Sequence, residues 1–156
     1  MAISDTASAL PSVDASVTTE LIERLRRDLG DSVVSTDPSR IDRMSVDWAH
    51  MSPILAARLP AGRADVVVTP RAVEDVPVVL RHAFELRVPV TARGTGLGNY
   101  GQAIPLRGGI VLDMSACRAV VEVGDGWVTA EAGVRMRDLD NAVVPRGQEL
   151  WMYPST

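Results

Sequence analysis

The sequence predicts an α+β domain: a β-α-β unit, then a mixed or antiparallel sheet with helices packed on it. Three observations lead there. Val66-Val67-Val68 is an unbroken β-branched run closed by Thr69-Pro70, the pattern of a strand covered on both faces. Residues 73–87 then read as a helix, and Val88-Pro89-Val90-Thr91 offers a second strand, so the two strands are expected to run parallel. Beyond a glycine-rich stretch lie three further strand candidates, residues 109–114, 119–123 and 127–131. Gly124-Asp125-Gly126 between the last two suits a hairpin turn, since glycine takes positive φ at no steric cost.

Taken in order, residues 1–16 are small and polar and read as a mobile tail. Val17, Leu21, Leu25 and Leu29 recur at i+4 spacing, which predicts a helix. Thr18 or Thr19 is expected to cap it and Gly30 to end it. Residues 31–60 carry Pro38, Pro53 and Pro60 with weak periodicity, so residues 17–60 form a helix-and-loop region with short helical pieces. In the 73–87 helix, Glu74 and Asp75 suit the first turn, and Pro77 falls early enough to lose little hydrogen bonding. A last helix is expected over about residues 135–144, before Pro145 and Gly147.

Composition narrows the function. Hydrophobic residues make up 46% of 156, in the globular range. A net charge of -4 argues against nucleic acid or an anionic membrane as the main partner. All 16 basic residues are arginines, so Schiff-base lysine chemistry is excluded for this chain. The single cysteine, Cys117, permits no intrachain disulfide and reads as a small buried or half-buried residue rather than a nucleophile. His50 and His82 lack the spacing of a metal site, so no metal is expected. The N-terminus has no basic and apolar signal segment, and apolar runs such as residues 76–80 are too short to span a bilayer; a cytoplasmic location is the expectation.

The chemistry concentrates in Arg93-Gly94-Thr95-Gly96-Leu97-Gly98-Asn99-Tyr100-Gly101-Gln102. Four glycines within eight residues let backbone N–H groups converge, and the absent β-carbons let a diphosphate approach them. Arg93 adds charge, and Thr95, Asn99 and Gln102 add donors. Gly96, Gly98 and Gly101 satisfy G-x-G-x-x-G, yet the context is not that of a Rossmann loop, which opens directly into a helix. Here the chain continues through Ile104-Pro105-Leu106-Arg107-Gly108-Gly109 into a strand. Loop amides, not a helix dipole, are therefore the expected phosphate ligands.

Val88-Pro89-Val90, the glycine loop and the run from Ile104 to Asp113 together resemble the flavin domain of the vanillyl-alcohol oxidase and p-cresol methylhydroxylase superfamily. The likeness is greatest to its glycolate oxidase and D-lactate dehydrogenase branch. Ala130-Glu131-Ala132-Gly133-Val134 is similar to the family's next landmark, and Pro154-Ser155-Thr156 resembles the start of its second flavin-binding stretch. The resemblance covers roughly residues 60–156, so residues 61–156 are expected to be the first part of an FAD-binding domain of the p-cresol methylhydroxylase type.

The resemblance implies FAD with its pyrophosphate on residues 93–98, with Asn99, Tyr100, Gly101 and Gln102 continuing towards the isoalloxazine ring. Pro154, Ser155 and Thr156 would begin the far-side contacts, and Trp151 and Tyr153 are candidates to pack near the flavin. No histidine follows His82, so the family's histidine attachment in this loop is ruled out and the flavin is expected to be non-covalent. Asn99-Tyr100 departs from the small residues common there, which implies a differently shaped substrate side. The implied activity is hydride transfer from a 2-hydroxy acid or related alcohol, by a fragment or subunit that needs a C-terminal half or companion polypeptide. Catalytic residues are expected beyond Thr156, and homo-oligomerisation is left open. The competing reading is a non-catalytic remnant that binds a nucleotide or a partner.

Overall fold

The structure, a computed structural model, describes residues 13–50, 52–56 and 62–153. Its centre is a four-stranded sheet in the order β1-β2-β4-β3, built from Val34–Ser35, Val66–Val68, Ile110–Asp113 and Val90–Arg93 respectively. β2 and β3 both run parallel to β4, and β1 adds an antiparallel edge on β2. The β-α-β reading holds in direction, but β4 inserts between the two strands it joins. β5 (Val120–Val123) and β6 (Val128–Ala130) form a separate antiparallel ribbon closed at Gly124-Asp125-Gly126, with Gly126 at φ +78°.

Alternation along β2 and β4 supplies both faces of the core. Val66, Val68, Ile110 and Leu112 face α1 (Ala15–Leu29) and α4 (Val76–Glu85), where Leu21, Leu25, Leu29, Val79 and Ala83 close the layer. Val67 and Val111 point the other way, onto Ile41 and Met44 of α2 (Pro38–Met44) and onto Ala64. Every residue of β2 and β4 is buried, which is why these strands lack polar alternation. A fully buried Val or Leu contributes about 1.5–3 kcal/mol relative to exposure, so this seam dominates the stability of the sheet. α3 is the single turn Pro53–Ala56, and α5 (Met136–Val143) packs on the β5–β6 ribbon.

Three local differences have physical causes. The first helix begins at Ala15, capped by the Asp14 carboxylate accepting from Ser16 N at 2.7 Å, rather than by Thr18 or Thr19. An aspartate directly ahead of the first helical residue is the better cap. The second parallel strand is displaced to Val90–Arg93. Val88 is buried and its N–H returns to the Ala83 carbonyl at 2.8 Å, so it terminates α4 instead of starting the strand. The edge strand β1 has only two residues, too few for any periodicity to signal. Gly30 does end α1, at φ +91°.

Candidate functional site

β3 delivers the chain to the carboxyl end of the sheet, and the glycine loop begins there with Arg93, the last residue of the strand. The loop walls a cleft of about 610 Å³, lined by residues 92–100, Gln102, Ala103, Ala132 and Val134. Nine of the ten residues of the 93–102 segment thus line one cleft. Gly101 stands outside the lining. Its φ of +81° turns the chain, and its carbonyl accepts from Ile104 N at 3.1 Å. Thr95, Leu97, Asn99 and Tyr100 are exposed on the cleft side, whereas Gly96 is buried beneath them.

What fixes the loop is Arg93. Its Nη1 donates to the backbone carbonyls of Met44, at 3.1 Å, and Val46, at 2.5 Å. The guanidinium lies where a Gly96 side chain would stand, 2.0 Å from an ideal β-carbon, and Gly96 itself is at φ +73°. Trp48 N donates to the Gly98 carbonyl at 2.9 Å, and the Asp47 carboxylate accepts from Ala49 N at 2.9 Å and from Ala103 N at 3.5 Å. The segment after α2 is therefore a strap across the glycine loop, a role its sequence did not announce. Arg93 is among the residues that line the cleft, and its hydrogen bonds hold the strap.

The other walls close in through backbone contact. A β-carbon on Gly94 would sit 3.3 Å from the Ala132 carbonyl, and one on Gly133 would overlap the Met114 carbonyl at 1.9 Å. The turn after β6 can press on the turn after β4 only because residue 133 has no side chain. Gln102 does not reach outward: its Oε1 accepts from Tyr100 N at 3.0 Å. Asp113, at the end of β4 and 1% exposed, accepts from Thr69 Oγ1 at 3.2 Å and from Arg40 Nη2 at 3.4 Å, and so ties the strand ends to α2.

The remaining candidates fall into place. Trp151 is fully exposed and Tyr153 donates to the Asp140 carboxylate on α5, so neither lines the cleft. Pro154, Ser155 and Thr156 lie outside the described residues. Cys117 is buried with its Sγ 3.7 Å from the Pro70 carbonyl, and burial pushes the thiol up, as befits a core residue. His82 is buried and bonded to Asp28, and His50 is exposed. Among the described residues no cluster of His, Cys, Asp and Glu could hold a metal ion, and no helix is long and apolar enough to cross a membrane.

A parallel strand ending in a glycine loop, held by a strap from the segment after α2, presents loop backbone to an open cleft. The chain belongs to the FAD binding domain family, which matches residues 64–156. It is 33% identical over 115 residues to an uncharacterized FAD-linked oxidoreductase of Mycobacterium tuberculosis, covering 72% of this chain and 24% of the relative. It is 35% identical over 103 residues to the D-lactate dehydrogenase of Archaeoglobus fulgidus, covering 65% of this chain and 23% of that one. In fold it is similar to the 4-ethylphenol oxidase of Gulosibacter chungangensis in complex with isoeugenol. The TM-score is 0.73 and the identity 24%, across 93% of this chain and 28% of the oxidase. The chain thus spans about a quarter of the length of such relatives.

FAD is the cofactor of this family, and the cleft fits it. Gly94, Gly96 and Gly98 line the cleft, and their β-carbon positions are crowded by the Ala132 carbonyl, the Arg93 guanidinium and the Gln102 side chain, so glycine is what lets the loop backbone form this wall. Ala132 and Val134 offer a small, partly apolar far wall.

Proposed function

We propose that residues 93–102 hold the FAD diphosphate non-covalently, in an enzyme that oxidises a 2-hydroxy acid. The observation that carries this reading is the wall of the cleft itself: loop backbone at the end of β3, braced from behind by Arg93. Bound FAD supplies a two-electron acceptor. This chain's residues bind and orient it: the loop amides face the diphosphate, Arg93 holds the loop from behind through the Met44 and Val46 carbonyls, and Asn99 and Tyr100 border the side towards the ring. Among the described residues no carboxylate or histidine lines the cleft, so these residues bind the cofactor and do not take the substrate's proton. The 2-hydroxy-acid class is supported by the D-lactate dehydrogenase relative, and a division into a tail (residues 1–16), a helix-and-loop region (17–60) and a flavin-domain part (61–156) is supported by a family match that begins at residue 64.

Two readouts on the protein purified with its flavin test the reading. Acid precipitation should leave the yellow chromophore in the supernatant; flavin that stays with the polypeptide would refute non-covalent binding. Under anaerobic conditions D-lactate or glycolate should bleach the visible flavin absorbance. Bleaching by a 4-alkylphenol and by no 2-hydroxy acid would move the substrate to the class of the phenol oxidase neighbour.

A further inference from the structure

A second recess of about 360 Å³ adjoins the glycine loop. Arg93, Gly94 and Thr95 line both the recess and the cleft. Four arginines converge on it: Arg43 from the end of α2, Arg93 from the end of β3, Arg118 after β4, and Arg135 just ahead of α5. Its one carboxylate, Asp113, is already engaged by Arg40 and Thr69. Arg43, Arg118 and Arg135 make no hydrogen bond or ion pair among the described residues. In a chain of net charge -4, with 20 acidic residues to draw on, such an uncompensated group of cations is a concentrated positive field.

Other donors share the recess. The Ser115 side chain lines it. Thr95 lines it as well. Guanidinium forks and hydroxyls are together a donor set that suits the oxygens of a tetrahedral oxyanion. We propose that this recess binds a phosphate group, through Arg118, Arg135 and Ser115 with Arg43 at the rim, separately from the flavin diphosphate in the cleft. The phosphate is inorganic or carried by a nucleoside monophosphate; both present the same three-oxygen face to the arginines.

The test uses flavin-loaded protein, so that the cleft is filled and the visible absorbance reports any loss of cofactor. Inorganic phosphate, and adenosine monophosphate in a second arm, are titrated by calorimetry against a constant chloride background. Saturable binding of either should appear, and the tighter of the two identifies the source. The double variant Arg118→Gln/Arg135→Gln should bind at least about tenfold more weakly, two charge-assisted hydrogen bonds having gone, with flavin content unchanged. No saturable binding to the holoprotein overturns the proposal. So does binding seen only after the flavin is stripped and abolished by adding FAD, because the recess would then belong to the flavin's own diphosphate. Unchanged affinity in the double variant overturns it as well. Loss of flavin from wild-type protein would instead count against the reading of the cleft.

Discussion

Gly96 carries two constraints at once: a left-handed backbone at φ +73° and the Arg93 guanidinium in the place of its side chain. Valine there costs roughly 1 kcal/mol or more for the positive φ alone. Its methyl groups must also displace Arg93 from the Met44 and Val46 carbonyls, releasing the strap. Gly96→Val should therefore purify without flavin while its far-ultraviolet circular dichroism stays that of wild type, because β2 and β4 are buried in a core Gly96 does not join. Normal flavin occupancy in this variant would show that the diphosphate is held elsewhere. The glycines could be read from sequence because their chemistry is local. Arg93's partners could not, since they lie nearly fifty positions back along the chain.

Between elements, α1 and α4 are joined by the polar pair Asp28 and His82 over a leucine-rich contact. His82 Nε2 lies 2.7 Å from Asp28 Oδ2, and Arg81 adds a longer ion pair at 3.7 Å. His82 Nδ1 is buried without a partner, with Glu85 3.9 Å away. The hydrogen bond from His82, then that from Arg27, holds the Asp28 carboxyl below its ordinary value of 3.8. A depressed folded value means stability that is complete above the ordinary carboxylate pKa and lost as pH falls through the folded one. The urea midpoint of Asp28→Asn should thus lie below that of wild type at about pH 6, and the gap should close under acid conditions below 3.8. A gap that widens on acidification would contradict the assignment. The i+4 leucines made α1 legible in the sequence, and the triple valine did the same for β2. The insertion of β4 between β2 and β3 was not legible, because strand order depends on pairing between residues 20 and 44 positions apart. The two-residue β1 lay below any periodic signal.

At the scale of the whole molecule, the fold divides its labour between two sheets. The four-stranded sheet, covered by α1 and α4 on one side and α2 on the other, is the rigid platform. The β5–β6 ribbon with α5 contributes Ala132 and Val134 to the cleft, and it leaves Val121, Trp127 and Val144 more exposed than apolar residues usually are. Where the platform ends and the loop begins, rigid strand gives way to a backbone shaped by glycine and pinned by one arginine. The central claim is that amides of this loop are the ligands of the FAD diphosphate, and hydrogen–deuterium exchange reads those amides directly. Flavin-free protein and the same protein reloaded with FAD should differ most within residues 94–102, where exchange slows on binding, while the amides of β2 and β4 exchange equally slowly in both. FAD binding that leaves exchange in residues 94–102 unchanged, and slows another segment instead, would contradict the account.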